Sequence, residues 1–255
     1  MPVITAGVDL AAEAKGTALA VIEWRGATAV LRDLQLGVAD ETIVSAAAGS
    51  AKLGIDCALG WPDEFVAFVA AHASGDPLPD GADGSIDWRR TLAYRATDRE
   101  VRAVTGRWPL SVSTDRLGLT AMRCAGLLGR LRASGVDVDR SGAGRIAEVY
   151  PAASLRLWGF VTAGYRADSA RRGELVADLR SAAPWLDLGG FAPLMRASTD
   201  AFDAVIASLA TRAAALGHST VAPPGMLAQA RREGWVALPT CPLAALVDTV
   251  GRAHP

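Results

Sequence analysis

The first 60 residues alternate short apolar runs with turns, as a β-rich segment does. The runs VITAGVDLA, TALAVIEW and ATAVLRDLQL are rich in Val, Ile and Leu, and AEAKG forms a turn between the first two. They predict three antiparallel strands of a meander. DETIVSAAAGS then predicts a helix with Asp40 as its N-cap. KLGIDCALG predicts a further short strand, so the order β-β-β-α-β indicates an α/β fold.

The segment from about residue 62 to 143 has a different pattern. It contains the loop GDPLPDGADGS, the basic stretch WRRTLAYRATDREVRAVTGRWP and the helix-like DRLGLTAMRCAGLLGRLRASG. The strand pattern returns afterwards in RIAEVYPAA. We therefore interpret residues 62–143 as a mainly helical insertion within a single domain that spans residues 1–255.

A long helix is predicted from about Ser198, because the apolar positions of STDAFDAVIASLATRAAALG recur at helical spacing. Asp203 lies beside the apolar stripe, and Asp200 is three residues away on the same side. The alanines near Asp203 are small enough for the helix to approach a sheet closely. The alternative is that both aspartates only favour the N-terminal helix dipole, with Ser198 or Thr199 as the cap.

Four acids interrupt apolar segments of the predicted core: Asp9, Asp56, Glu148 and Asp203. Aspartate is disfavoured in strands, and burial of an unpaired carboxylate is costly. A divalent cation that gathers carboxylates from separate elements compensates for this cost, and Mg²⁺ and Mn²⁺ prefer oxygen ligands. The pattern predicts a Mg²⁺ or Mn²⁺ site. For Glu148, an ion pair with an arginine such as Arg145 is the alternative.

The predicted chemistry is phosphodiester hydrolysis. Three to five carboxylates hold two Mg²⁺ ions about 4 Å apart in enzymes that activate a water and stabilise the leaving oxygen in this way. The four acids above are the predicted catalytic residues. Nucleic acid or a nucleotide is the expected partner.

Arginines are the candidate phosphate ligands, because only two of the 26 basic residues are lysines and arginine binds phosphate in bidentate fashion. Six arginines lie between residues 89 and 107. Arg95 and Arg99 share one side if this segment is helical, and Tyr94 is placed to stack on a base. The predicted substrate-binding residues are Lys15, Tyr94, Arg95 and Arg99. The alternative is a solvated helix face whose arginines pair with nearby acids such as Asp98 and Glu100.

Composition excludes several other classes. The net charge of −1 gives no general attraction to polyanions. Cys57, Cys124 and Cys241 are scattered without a CxxC pattern, so neither a zinc site nor a disulfide framework is indicated, and a reducing cytoplasm is expected. The N-terminal residues do not have the pattern of a signal peptide, and no apolar run predicts a membrane span.

Eight motifs in the same order resemble the family called domain of unknown function 429, over nearly the whole chain. They are GVDLAA followed by KGTALAVI, GIDCALGWP, YRATDREVR, PLSVSTDRLG, EVYPAASLRLWG, Tyr165-Arg166, STDAFDAVIASLATRAAA and EGWVALP. That family is described as predicted nucleases with an RNase H-like fold. The resemblance therefore implies a resolvase-like, mixed five-stranded sheet flanked by helices.

The resemblance also assigns the acids. Asp9 corresponds to the first-strand acid and Asp56 to the fourth-strand acid, where many relatives of the superfamily have the longer Glu. Asp200 and Asp203 correspond to the acids of the final helix, in a DxxDA pattern similar to that of Holliday-junction resolvases. The implied metal ligands are Asp9, Asp56, Asp200 and Asp203, whereas Glu148 has no secure counterpart.

Two other functions are consistent with the same core. Sugar kinases and actin-like ATPases place an Asp on the first strand before a phosphate-binding hairpin, and here Lys15, Gly16 and Thr17 follow Asp9. The chain lacks the second Gly-rich phosphate loop of those proteins and is short for two such domains. The other alternative is a non-catalytic nucleic-acid-binding protein, against which the presence of all four acids argues.

Overall fold

The computed structural model describes residues 2–79 and 81–247, and its centre is a mixed sheet. The strands are β1 (Val3–Asp9), β2 (Ala18–Arg25), β3 (Thr28–Leu36), β4 (Lys52–Asp56), β5 (Ile146–Glu148) and β6 (Leu186–Asp187). Their order across the sheet is β5-β4-β1-β2-β3-β6. The strands β1, β2 and β3 form the predicted antiparallel meander, and β4 pairs with β1 in parallel.

The sheet has six strands in place of the five that the sequence predicted. The additional strand, β6, consists of two residues that pair in parallel with β3 at the edge of the sheet. A segment of two residues is too short to show the alternation by which a strand is recognised in a sequence.

The helices lie before, between and after these strands. They are α1 (Asp40–Gly49), α2 (Asp63–Ser74), α3 (Ile86–Ala93), α4 (Ala96–Thr105), α5 (Gly118–Ala133), α6 (Pro151–Leu157), α7 (Ser169–Ala182), α8 (Ala192–Ala197), α9 (Thr199–Ala215) and α10 (Leu227–Glu233). No helix within the described residues is long and apolar enough to span a membrane. The N-cap of α1 is Ala39 and not the predicted Asp40, whose carboxylate instead pairs with Arg123 of α5.

The segment between β4 and β5 contains the four helices α2 to α5, and its described residues contain no strand. Its last helix, α5, packs on the same face of the sheet as α1. Cys124, Leu127 and Leu131 of α5 are buried there with Ile43 of α1. This part of the chain therefore contributes to the core on one side of the sheet.

Alternation along β1 and β4 separates the two faces of the sheet. Ala6 and Val8 of β1, and Leu53 and Ile55 of β4, are buried in the core beneath α1 and α5. The residues between them point to the opposite face, because side chains alternate along a strand. Asp9 and Asp56 therefore emerge on that opposite face, which α9 covers.

Helix α9 packs on this face with unusually close backbone contact. A Cβ atom at Gly7 would lie 2.5 Å from the carbonyl oxygen of Ala204 and closer still to the backbone nitrogen of Ser208. At Gly54 it would overlap the hydroxyl of Thr211. Thr5 and Ser208 also share a hydrogen bond of 3.0 Å between their hydroxyls. The small residues of both elements thus let the helix lie directly on β1 and β4.

Candidate carboxylate site

Two aspartates lie side by side at the carboxyl ends of neighbouring strands. Asp9 ends β1 and Asp56 ends β4, and the two residues are direct partners in the parallel register. Both side chains are half-buried. Neither carboxylate accepts a hydrogen bond from any residue of the described chain. Two neighbouring carboxylates without hydrogen-bond donors are unfavourable unless a proton or a cation lies between them.

The third and fourth aspartates come from the first turns of α9. The side chain of Ser198 accepts a hydrogen bond of 3.2 Å from the backbone nitrogen of Ala201, so the predicted cap begins the helix. Asp203 is buried and Asp200 is half-buried. Because α9 crosses β1, its acid-bearing end lies above the strand ends, and the charges of Asp203 and Asp200 both act on Asp9.

The buried Asp203 is held by the neighbouring residues Tyr165 and Arg166. The Tyr165 hydroxyl donates a hydrogen bond of 2.9 Å to one carboxylate oxygen, and the Arg166 guanidinium donates one of 3.0 Å to the other. Arg166 Nε also donates to the Tyr165 hydroxyl at 3.1 Å. The three side chains form a closed network, and both oxygens of Asp203 are engaged.

Tyr165 and Arg166 lie in the loop between α6 and α7, which two contacts hold in place. Arg172 donates a hydrogen bond of 2.8 Å to the carbonyl oxygen of Tyr165, and the Thr199 hydroxyl donates one of 3.0 Å to that of Arg166. The sequence contained this pair only as one of the family-like motifs, and it was not among the predicted site residues. A loop has no periodic pattern from which its position relative to Asp203 follows.

The clustered acids change one another's protonation. Burial raises the pKa of Asp9 from 3.8 to about 9, with further contributions from the negative charges of Asp56, Asp203 and Asp200. Burial and the charge of Asp203 likewise raise the pKa of Asp56 well above its usual range. Burial raises the pKa of Asp203 to about 6, although Arg166 and Tyr165 oppose the shift. The pair of strand aspartates therefore holds at least one proton at neutral pH.

A pH dependence of stability follows from the raised pKa of Asp9. The folded protein keeps this proton up to pH about 9, whereas the ordinary pKa of the group is 3.8. Between these values the folded state binds more protons than the unfolded state, so the free energy of unfolding falls as pH rises. We expect Asp9→Asn to be more stable than the wild type near pH 8.5, and by a smaller margin near pH 5.

The measurement is urea unfolding of both proteins at the two pH values, in EDTA so that no divalent cation replaces the proton. Asp87→Asn, on the surface of α3, is the control, because the Asp87 side chain is 85% exposed. A stability margin for Asp9→Asn that is the same at both pH values would contradict the expectation.

The predicted catalytic acid Glu148 is neutralised by a buried arginine. It ends β5, one strand beyond Asp56. Arg95 donates to its two carboxylate oxygens at 2.8 and 2.7 Å, and the backbone nitrogen of Leu59 donates at 3.0 Å. Glu148 therefore forms an ion pair with an arginine, which was the alternative to a catalytic role. That partner is Arg95 and not Arg145, whose guanidinium donates to backbone carbonyl oxygens at the end of α1.

Arg95 and Arg99 do not share a helix face as predicted, because α4 begins at Ala96 and Arg95 is its N-cap. The buried guanidinium of Arg95 also donates to both oxygens of Asp98 and to the carbonyl oxygen of Glu233. With the two bonds to Glu148, all five of its N–H groups are used. Arg95 therefore has no free donor for a phosphate.

Within residues 2–79 and 81–247, no hydrogen bond or ion pair joins the other predicted substrate-binding residues to the four aspartates. Arg99 is exposed on α4, and Lys15 is exposed in the 3-10 turn Ala14–Gly16 after β1. Tyr94 stacks on Trp108, with ring centroids 4.2 Å apart, which leaves it packed against another aromatic side chain.

A cavity of about 180 Å³ adjoins the carboxylates. Its polar lining includes Asp56, Arg95, Glu148, Tyr150 and Arg166, and Leu110 and Leu117 from the segment before α5 belong to its apolar wall. The cavity thus connects the end of β4 with the loop that carries Arg166.

The donor set fits a divalent cation only in part. Within residues 2–79 and 81–247, no three carboxylate, imidazole or thiol groups are arranged to hold a metal ion. Asp9 and Asp56 remain as two free carboxylates, and Mg²⁺ is often bound by one or two carboxylates together with water and substrate phosphates.

Comparison with known proteins identifies one family. No curated protein and no solved structure matches the chain. Residues 7–226 match the family described as "Protein of unknown function (DUF429)". This range contains all four clustered aspartates, the Arg95–Glu148 pair and the Tyr165-Arg166 loop, so the match extends over most of the fold described above. The chain therefore belongs to the DUF429 family of proteins of unknown function.

Proposed function

We propose that this protein hydrolyses phosphodiester bonds with the help of Mg²⁺ or Mn²⁺. One observation carries the proposal, namely that Asp9 and Asp56 are direct partners at the carboxyl ends of two parallel strands. Their carboxylates have no hydrogen-bond donor among the described residues and repel each other. A divalent cation relieves this repulsion, and ligands commonly bind at the carboxyl ends of parallel strands.

The sheet supports the RNase H-like fold that the family resemblance implies. Without the edge strand β6, the strand order is β3-β2-β1-β4-β5, with an antiparallel meander followed by parallel strands. The acids lie on the first strand, the fourth strand and the long helix α9, whereas the resemblance expects them on the final helix and α10 follows α9 here. We infer nuclease activity from this combination, with nucleic acid or a nucleotide as substrate.

In this proposal Asp9 and Asp56 are the protein ligands of the cation, and the substrate supplies a phosphate oxygen as a further ligand. A bound divalent cation supplies Lewis-acid stabilisation of negative charge on the phosphoryl group and a water of lowered pKa. Asp9 has to release its proton before it binds a cation. Because burial and neighbouring acids raise the pKa of Asp9 to about 9, cation binding strengthens as pH rises through the neutral range.

The variant Asp9→Asn tests the proposal. Asparagine keeps the shape of the side chain and removes the ligand charge, so we expect cation-dependent hydrolysis to fall at least about 100-fold, beyond the loss usual for residues that only support a ligand. The substrates are bis(p-nitrophenyl) phosphate, single- and double-stranded DNA, RNA and a cyclic dinucleotide, each with Mg²⁺, Mn²⁺ or EDTA. Asp87→Asn is the matched control on the exposed surface of α3.

Two outcomes contradict the proposal. The first is that the wild type cleaves none of these substrates with either cation, and the second is that Asp9→Asn and the wild type cleave them equally. ATP hydrolysis that depends on an added sugar, without phosphodiester cleavage, would favour the phosphotransferase alternative on the same core.

A further inference from the structure

We propose that Arg166 binds the anionic group of the substrate, and that Asp203 and Tyr165 hold it in position for this purpose. The inference rests on the proposed function, because it names the residue that brings a phosphate to the Asp9–Asp56 pair. It assigns to Arg166 the role that the sequence predicted for Arg95 and Arg99.

Arg166 has N–H donors without a partner among the described residues. Its Nε–H donates to the Tyr165 hydroxyl and one N–H of its Nη2 donates to Asp203. The guanidinium has five N–H groups, so three have no partner among the described residues. The side chain is 54% exposed, whereas that of Asp203 is 3% exposed. The inner edge of the guanidinium is therefore anchored, and the outer edge is open to a ligand.

The anchoring prepares Arg166 for binding. A free arginine side chain loses much rotational freedom when it binds an anion, and this loss weakens binding. Here the bonds to Asp203 and Tyr165, together with the loop contacts of Arg172 and Thr199, already fix the guanidinium plane. A planar fork with free parallel N–H groups matches two oxygens of a phosphate.

The position of Arg166 distinguishes it from the other candidate arginines. Arg166 and Arg95 both line the cavity that contains Asp56. All five donors of Arg95 are engaged, and Arg99 is exposed on α4. The positive charge of Arg166 opposes the rise in pKa of Asp9 and Asp56, and its side chain lines the same cavity as Asp56. An anion held by Arg166 therefore lies beside the proposed cation ligands.

This arrangement makes Asp203 a positioning residue. Each of its oxygens accepts one hydrogen bond, from Tyr165 or from Arg166, so the proposal gives Asp203 the task of holding Arg166 in place of the metal ligation that the sequence predicted. Loss of the Asp203 charge is then expected to loosen Arg166 and to leave the ligands Asp9 and Asp56 unchanged.

Calorimetric titration separates the two roles. Mn²⁺ is titrated first, and inorganic phosphate is then titrated into the Mn²⁺-saturated protein and, separately, into the protein in EDTA. We expect Arg166→Ala to weaken phosphate binding by about 10- to 100-fold, the usual effect of losing hydrogen bonds to a charged group. We expect Asp203→Asn to weaken it by about 10-fold, and both variants to bind Mn²⁺ within about 3-fold of the wild type.

Two further variants complete the test. Arg166→Lys keeps the ion pair with Asp203 and removes the planar fork, so it remains informative if Arg166→Ala does not fold, and it should weaken phosphate binding by about 10-fold. Arg171→Ala is the matched control. Arg171 is an exposed arginine at the start of α7 that forms an ion pair with Glu174, and its loss should leave both titrations unchanged.

The outcomes are distinguishable from a failure of the proposed function. If the wild type binds no Mn²⁺, the proposed metal-dependent activity is contradicted. The phosphate titrations in EDTA still test the role of Arg166. Phosphate binding that is equal in the wild type, Arg166→Ala and Arg166→Lys overturns the inference, as does absence of phosphate binding in both conditions. Loss of Mn²⁺ binding in Asp203→Asn would show instead that Asp203 is a metal ligand.

Discussion

Replacement of Arg95 by alanine is expected to destabilise the protein by about 3–5 kcal/mol, because it leaves buried carboxylates without their positive partner. The side chains of Arg95 and Glu148 are each 4% exposed, and that of Asp98 is fully buried. Removal of one partner of a buried ion pair lowers the free energy of unfolding by far more than the intact pair contributes to it. The loss is large for a protein whose total stability is expected to be about 5–15 kcal/mol.

The measurement is urea unfolding of Arg95→Ala beside Arg99→Ala. Arg99 lies on the exposed side of α4, so its replacement should change the free energy of unfolding by less than about 0.5 kcal/mol. If Arg95→Ala instead keeps its stability and binds phosphate more weakly with a smaller salt dependence, Arg95 is a substrate ligand as the sequence predicted.

The second large effect is expected at Gly7, where a single methyl group would separate α9 from the sheet. The added Cβ would overlap the backbone of Ala204 and Ser208, which cannot move like a flexible side chain. We expect Gly7→Ala to cost at least about 3 kcal/mol, at the upper end of the range for overpacked cores. A loss of this size lowers the Tm by about 6–12 °C in a chain of this length.

Gly126 provides the matched control for thermal unfolding. It lies on the exposed side of α5, with no atom within 4 Å of the position of a Cβ. Since alanine is the better helix former, Gly126→Ala should stabilise the protein by about 0.5–1 kcal/mol. Equal effects of the two substitutions would mean that α9 does not approach β1 as closely as described.

The periodic patterns of the sequence predict on which face of its strand or helix an acidic residue lies. The alternation of Thr5 and Gly7 with Ala6 and Val8 is enough to place Asp9 on one face of β1. Helical spacing likewise places Asp203 at the edge of the buried stripe of α9. The parallel pairing of β1 with β4 then brings Asp9 and Asp56 to one end of the sheet.

The long-range partners were not predictable in the same way. Arg95 and Glu148 are 53 residues apart, and nothing in either neighbourhood indicates that they meet. The burial of Arg95 depends on how the start of α4 approaches Glu148 at the end of β5 and the carbonyl oxygen of Glu233 at the end of α10. Arg166 lies in a loop, whose position relative to α9 is fixed by hydrogen bonds to Thr199 and Arg172 and not by periodicity.

The in-register pairing of Asp9 with Asp56 also makes the site a reporter of folding order. Strands β1, β2 and β3 are consecutive in the chain and are joined by short connections. Strand β4 pairs with β1 although β2, β3 and α1 lie between them in the sequence. Pairs of distant segments close more slowly than hairpins. If Asp9 and Asp56 bind Mn²⁺ as proposed, the return of Mn²⁺ affinity during refolding reports when β4 pairs with β1, because the meander alone contains Asp9 without Asp56.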